Sequence, residues 1–411
     1  LRFDCHLFSF SVATLRCCHN GIPIPFIKIP HSRRIESCAC YSRFRFYWSV
    51  LGLKRQYFTH NLVCACQASQ TIWPNMESQT DCKTQSTCLN IVTYNLLVHH
   101  ASYWTSMSTS IDDLPWPARQ ILFEAEFAKS NADLFCLQEI TQDMMAALLP
   151  WFGANGYVGM HVLKQLPEWE LKDGWESTLL GMAVFVRHSL LEIVEISHRF
   201  ARDFLSEEDC STDSKGFAKL LQQRADGVLM LRLKTKTFER REFLLVCAHA
   251  VWWYKADPSA HIAAKPVQML LMLRAIQEFT APRGIDLSRV ILAGDFNTLP
   301  AAGGSSSEFD DIAGYELYTG GSLPVTHPEH PSAHGWNLPR LTTPLSLRSA
   351  YRIVHGSEPS ETLGGSGQTM DYIFVGDGLE IVDAWVAKAS GWTPNSSHPS
   401  DHLPVGATLR I

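Results

Sequence analysis

Nothing in this chain of 411 residues approaches the run of roughly 20 apolar residues that a helix needs to cross a bilayer. The best candidates, residues 7–15 and 46–53, are short and interrupted, so stable membrane insertion is not expected. Methionine is absent before Met76. From Met76 onward positive charge is scarce: 26 of the 35 basic residues but 39 of the 41 acidic ones lie there, a formal charge of −13. Proteins that hold long nucleic acid by neutralising its backbone present basic surfaces, so this balance argues for a short substrate engaged inside a cleft. Only five of the twelve cysteines lie there: Cys82, Cys88, Cys136, Cys210 and Cys247. An odd number scattered among apolar segments fits reduced, buried thiols and an intracellular compartment, cytoplasm or nucleus. There is no internal repeat. The Gly303-Gly304 pair lacks the helix start and lysine of a phosphate-cradling loop.

Residues 1–75 differ in kind from the rest of the chain. They hold nine Lys+Arg against only Asp4 and Glu36, and seven of the twelve cysteines. An arginine-rich, acid-poor leader resembles an organellar transit peptide, which would direct the protein to an organelle, and the apolar stretch after Arg2 faintly resembles a secretory signal. A third reading is translated upstream sequence, with the working protein beginning at Met76. Cys38-Ala-Cys40 and Cys64-Ala-Cys66 are spaced more tightly than zinc modules use. Residues 1–75 are therefore set apart as a leader, expected to be disordered, and residues 76–411 as one folded domain.

Within that domain, apolar strand-like runs alternate with amphipathic stretches, the signature of a layered α/β domain. Strands are expected at 89–95, 133–138, 182–186, 228–233, 243–248, 290–293, 370–375, 381–387 and 405–411. Helices are expected at 116–130, 141–152 and 264–279. Two long connections break the rhythm. Residues 198–226 carry Asp203, Glu207, Glu208, Asp209 and Asp213, expected to be a solvated loop or helix face. Residues 300–340, rich in proline and histidine, read as a long surface excursion near the site.

The strongest local signal is Ile291-Leu292-Ala293-Gly294-Asp295-Phe296-Asn297. An apolar strand stops at glycine and presents a carboxylate and an amide two residues apart, on one face of an extended chain. That pair suits holding a hydrated Mg²⁺ and aiming a water. Taken alone it is equally a turn, since Asp and Asn form turns readily. It is not alone. Residues 133–139 form another apolar strand ending in Glu139, the strand from Ile91 ends in Tyr94-Asn95, and Asp401-His402 precedes the last strand. Each is individually a plausible solvated strand end, and the set is specific where its members are not.

Tyr94-Asn95, Gln138-Glu139, Gly294-Asp295-Phe296-Asn297, Met370-Asp371-Tyr372 and Ser400-Asp401-His402 occur in an order and context that resemble the endonuclease/exonuclease/phosphatase superfamily. The resemblance runs from about residue 89 to 411. Cys247-Ala248-His249, the aromatics Trp252, Trp253 and Tyr254, Asp257-Pro258 and the following Gln268-Met269-Leu270 look most like the deadenylase branch, with its nocturnin, angel and 2′-phosphodiesterase members. Residues 347–351 and 398–402 look like that branch too. Two departures lie where a base or ribose would sit. The stretch between His249 and Asp257 is longer here, and Leu363-Gly364-Gly365-Ser366-Gly367 is shorter and richer in glycine.

The resemblance implies a four-layer α/β sandwich, two mixed β-sheets face to face with helices outside. It implies Glu139 as principal Mg²⁺ (or Mn²⁺) ligand with Asn95 beside it and Asp401 as a further metal ligand. Asp295 would orient or deprotonate the attacking water, Asn297 would position phosphate, His402 would contact the phosphoryl oxygens with Asp371 as its partner, and His249 would be a second such contact. A structural histidine is the competing reading of His249. Trp252, Trp253, Tyr254 and Asp257 would face substrate, the aromatics as a stacking platform worth roughly 1–3 kcal/mol per base, or else would pack in the core. The expected function is 3′-to-5′ exonucleolytic cleavage of poly(A) or other RNA to nucleoside 5′-monophosphates. Hydrolysis of a small phosphorylated substrate (2′,5′-oligoadenylate, NADP, a phospholipid head group) is the alternative. A binding protein without turnover would lack one of these positions, and none is missing.

Overall fold

The computed structural model describes residues 88–98, 115–164, 180–237, 239–251, 258–300, 311–389 and 393–411. Its first sheet runs, in spatial order, β13 (Glu380–Val386), β14 (Val405–Arg410), β1 (Cys88–Asn95), β2 (Leu134–Gln138), β4 (Gly181–Arg187) and β3 (Tyr157–Leu163). The second runs β11 (Leu347–Ser349), β12 (Asp371–Gly376), β8 (Val290–Asp295), β7 (Glu242–His249), β6 (Gly227–Thr235) and β5 (Leu191–Phe200). Each is mixed: β1 and β2 are parallel in one, β7 and β8 in the other, and the remaining pairs are antiparallel. A short pair, β9 (Ser322–Leu323) with β10 (Leu341–Thr342), stands apart.

Side-chain alternation sorts these strands into layers. In β1, Leu89 and Ile91 join one core while Val92 and Tyr94 join another. In β2 the division is Leu134 and Cys136 against Phe135 and Leu137. In β7, Phe243, Leu245 and Cys247 share the first of these cores, and Leu244, Val246 and Ala248 face a third. The shared core is therefore the space between the two sheets. Outside the first sheet, Phe123 and Phe127 of α1 (Trp116–Ser130) and Leu148 and Phe152 of α2 (Gln142–Ala154) close one outer core. Outside the second, Val267, Leu271 and Phe279 of α5 (Pro258–Thr280) close the other. Three cores separate four layers, the sandwich the sequence predicts. Cys88, Cys136, Cys210 and Cys247 are free thiols, and no helix among the described residues is long and apolar enough to cross a membrane.

The strand expectations hold to within a few residues, the helix expected at 264–279 begins six residues earlier at Pro258, and a short helix over Ala350–His355 and several edge strands are not expected from sequence. Neither β3 nor β5 is expected from sequence: each lies at a sheet edge, and Gly159 and His161 in β3 and the charged residues of β5 break the apolar run. Residues 198–226 leave β5 and form α3 (Glu207–Ser211) and α4 (Phe217–Gln223). Asp203, Glu207 and Glu208 are solvated as expected. Asp209 is not: it is buried, closes a capping box with Ser206 and lies 2.6 Å from Arg274 Nη1. The expected surface excursion at 300–340 is also corrected. From Asp311 it packs inward as α6 (Ala313–Gly320), burying Tyr315, Tyr318, Leu323 and Trp336. Its aromatic residues outweigh its prolines and histidines.

Candidate active site

The parallel pairs bring strand ends together. Asn95 is level with Gln138, so Glu139 follows directly at the same end of the first sheet. His249 is level with Asp295, and Asp371 faces Asp295 across the antiparallel β12 and β8. His402 stands just before β14, the other neighbour of β1. All these ends meet at one rim of the sandwich. Gly294 is required there, because a Cβ would collide with the carbonyl of Ala248 on β7. At the same rim Leu97, Glu139 and Asn297 adopt left-handed backbone, at φ 53°, 55° and 50°. Asn tolerates that region, but Leu and Glu there carry strain of the kind that collects at functional sites.

Side-chain contacts tie the ends into one cluster. The Asn95 amide donates to Asp295 Oδ2 at 2.9 Å and to Glu139 Oε1 at 3.2 Å, while its Oδ1 accepts from Leu97 N at 2.9 Å. Glu139 Oε2 accepts from Val98 N at 2.9 Å. Asp295 Oδ1 accepts from Asn297 N at 2.9 Å, and Asn297 Nδ2 donates to Ala250 O at 3.0 Å. His402 Nδ1 lies 2.8 Å from Asp371 Oδ2, and its Nε2 lies 3.8 Å from Asp295 Oδ2 and 4.0 Å from Asp401 Oδ1. His249 Nε2 lies 3.7 Å from Asp295 Oδ2 and 4.0 Å from Glu139 Oε1.

Burial and charge divide these groups. Burial and the nearby Asp371 push the Asp295 carboxyl up to about 6. Burial, joined by Glu139, does the same for Asp401. Burial opposes charge on both imidazoles, but Asp371, Asp295 and Asp401 outweigh it at His402 and hold that ring cationic. At His249 burial is reinforced by Lys164, and the ring stays neutral. Its Nδ1 is buried without a partner.

The donor set fits a divalent cation. Ligand atoms of Asp295, Asp371 and His402 lie within 4.8 Å of one another. Carboxylates crowded enough to resist ionisation are the surroundings a hard cation relieves. Glu139 is the most exposed carboxylate of the cluster, its side chain 18% accessible, and Asp371 keeps Oδ1 without a hydrogen-bond partner beside its contact to His402, so both offer an oxygen to a cation. Turning the Asn95 amide over would add its Oδ1.

The structure thus gathers Asn95, Glu139, His249, Asp295, Asn297, Asp371, Asp401 and His402 at one rim. Trp252, Trp253, Tyr254 and Asp257 lie outside the described residues. Sequence reasoning missed several supporting groups. Thr362 Oγ1 donates to Asp371 Oδ2 at 2.7 Å and accepts from Met370 N and Asp371 N. Arg119, wholly buried, donates to the carbonyls of Pro399, Leu96 and Leu97. Lys164 lies 2.6 Å from the buried Asp226, which also accepts from Arg224 and Gln268. Thr362 and Arg119 lie outside the strand ends that drew attention to Asn95, Glu139 and Asp295, and Lys164 follows an edge strand, β3, that the sequence does not single out.

The profile of the Endonuclease/Exonuclease/phosphatase family matches residues 92–402. Carbon catabolite repressor protein 4 homolog 4 of Arabidopsis thaliana is 25% identical over 333 residues, 72% of this chain and 71% of that one. The mouse 2′,5′-phosphodiesterase 12 is 27% identical over 310 residues, 71% of this chain but 46% of that protein, so the chain spans less than half its length. Among solved structures, ANGEL2, a 2′,3′-cyclic phosphatase, in complex with adenosine-2′,3′-vanadate superposes with a TM-score of 0.58 at 19% identity, covering 79% of this chain and 96% of that one. The human nocturnin catalytic domain with bound sulfate gives 0.52 at 18%, covering 78% and 94%. At these identities the structural likeness concerns the fold.

Proposed function

The chain belongs to the endonuclease/exonuclease/phosphatase family, its similarities lying with the deadenylase branch, and from that premise we propose that it is a Mg²⁺-dependent phosphodiesterase. Its substrate is RNA, poly(A) above all, cleaved from the 3′ end to nucleoside 5′-monophosphates. The observation that carries the reading is that Asn95, Glu139, His249 and His402 are linked through Asp295 and Glu139 by contacts of 4.0 Å or less along one rim.

Glu139 and Asp295, with Asn95, would hold the cation, and Asp401 stands beside them. When bound, Mg²⁺ (or Mn²⁺) supplies charge to the phosphoryl oxygens and makes a nearby water more acidic. Asp295, at the centre of the cluster, would orient the attacking water or accept its proton. His402 donates from Nε2, because Asp371 engages Nδ1, and its positive charge opposes the negative charge that builds on the equatorial oxygens. Neutral His249 offers Nε2 from the opposite strand. Asn297, pinned at its N–H and its amide, positions the phosphate. Asp257 and one of the aromatics Trp252, Trp253 and Tyr254 would serve the base or ribose, a role that the family resemblance suggests for residues outside the described ones.

The formal charge of −13 from Met76 onward favours a second reading, hydrolysis of a small phosphorylated substrate. A panel of oligo(A), mixed RNA, 2′,5′-oligoadenylate, NADP and sphingomyelin, each with Mg²⁺ and with chelator, separates the two. Stepwise release of AMP from oligo(A), abolished by chelator, is expected. Turnover of NADP alone would replace the RNA reading, and no turnover of any substrate would reject both. Residues 76–411 carry the activity, so a chain truncated to them should match the full chain.

A further inference from the structure

We propose that Lys265 is a positioning residue for Asn297, acting through its peptide carbonyl, a role that rests on the hydrolase reading above. Lys265 lies on α5, behind the site, and is 2% exposed. A buried lysine is uncommon and needs partners. This one has two: Nζ donates to Asn297 O, and it lies 2.5 Å from Asp311 Oδ2.

The chain leaving the site is fixed at successive peptide units. Asn297 O takes the Lys265 donor, and Thr298 O accepts from Tyr372 OH at 2.9 Å. Thr298 Oγ1 and Leu299 N both donate to Asp311 O, at 2.6 and 2.8 Å. Asn297 itself sits at φ 50°, in the left-handed region. Asp295 Oδ1 holds the N–H side of that residue, and Lys265 is the group holding the carbonyl side. Without it, the Asn297 carbonyl loses its donor while the N–H side stays held by Asp295, so the peptide plane can shift and carry the side-chain amide off its position. A shift near 1 Å in a positioning group lowers turnover on the order of 100-fold.

A merely structural lysine would serve only to neutralise Asp311, and three variants tell the roles apart. Removing one member of a buried ion pair is strongly destabilising, whereas replacing both by apolar residues is often neutral. Asp311→Leu should therefore lower the melting temperature yet keep kcat within about threefold, because the bond to Asn297 O survives. Lys265→Met with Asp311→Leu should regain stability yet lower kcat roughly 10- to 100-fold with KM little changed. Hydrogen exchange across residues 294–299 should quicken in the double variant and not in Asp311→Leu, a readout that needs neither substrate nor metal. Lys265→Arg, which keeps a buried cationic donor, should retain slow exchange and cover the case of a double variant that does not fold. Wild-type kcat and exchange in the double variant, or Asp311→Leu as slow as the double, would overturn the proposal. If the wild-type enzyme turns over no substrate in the panel, the hydrolase reading falls, and exchange still decides whether Lys265 holds Asn297.

Discussion

His402 Nδ1 and Asp371 Oδ2 lie 2.8 Å apart, both buried, on two strand ends that belong to different sheets. The contact orients the ring so that Nε2 faces Asp295, and it helps keep the imidazole cationic against the pull of burial. Asp371→Asn keeps the shape and removes the charge. It should lower kcat on the order of 100-fold while KM changes little, as for loss of a transition-state contact. Steady-state kinetics check it, and a rise confined to KM, with kcat unchanged, would place Asp371 in ground-state binding instead.

Glu139 is the carboxylate most open to a cation, with one oxygen on Val98 N and the other shared with the Asn95 amide. Glu139→Ala should lower Mg²⁺-dependent turnover by about 1,000-fold or more. Mg²⁺ should stabilise the wild-type fold by mass action, and that rise in melting temperature should vanish in the variant. Without metal the variant should lie within about 1 kcal/mol of wild type, since the side chain is not part of a core. Thermal melts with and without Mg²⁺ measure both effects, and a Mg²⁺ shift retained in the variant would move the metal away from Glu139.

The sequence makes some of this legible because strand ends announce themselves. An apolar run stopping at a polar group is visible without a structure, and it located Asn95, Glu139, Asp295 and His402. That the domain is layered α/β was legible in the alternation of apolar runs with amphipathic stretches, and the four-layer sandwich came from the family resemblance. The edge strand β5 escapes that reading because Leu191–Phe200 mixes charged with apolar residues and offers no continuous apolar run, the cue that marks the central strands. The groups behind the site leave no mark at all. Lys265 and Arg119 sit at helical positions that read as solvated face, and only the fold shows the peptide carbonyls they meet. Asp311 and Glu329 were hidden for another reason: their stretch looked like loop by composition, while its tyrosines and Trp336 bury it.

Glu329 gives a pH dependence. Its Oε2 accepts from Ile312 N at 3.0 Å and Ala313 N at 2.8 Å, and burial with Asp311 nearby pushes its carboxyl up to about 7. The folded value thus lies above the unfolded one of about 4.3, so the folded state binds the proton more tightly. That contribution to stability is complete below the unfolded value and is lost as pH rises through about 7. Glu329→Gln keeps an oxygen for both N–H groups and cannot ionise. Relative to wild type it should gain roughly 1–3 kcal/mol between about pH 5 and pH 8. Urea melts at both pH values test this, and a difference independent of pH would contradict it.

Arg119 joins the two loops that carry Asn95 and His402. Its Nε donates to Pro399 O at 2.7 Å and its Nη2 to Leu97 O at 2.7 Å and to Leu96 O, all within the buried interior. Ser400 Oγ adds a parallel tie to Asn95 O at 2.6 Å. A planar guanidinium can reach carbonyls on both loops at once, which an ammonium on a single stem cannot. Arg119→Met removes three charge-assisted bonds and leaves buried carbonyls without donors, a loss of about 3 kcal/mol or more. Arg119→Lys should recover part of that stability but not the spacing of the loops, so its kcat should stay nearly as low as that of the Met variant. Denaturation midpoints and kcat measured on both variants separate the two effects. If kcat recovers in step with stability, the guanidinium supports the fold without setting the distance between Asn95 and His402.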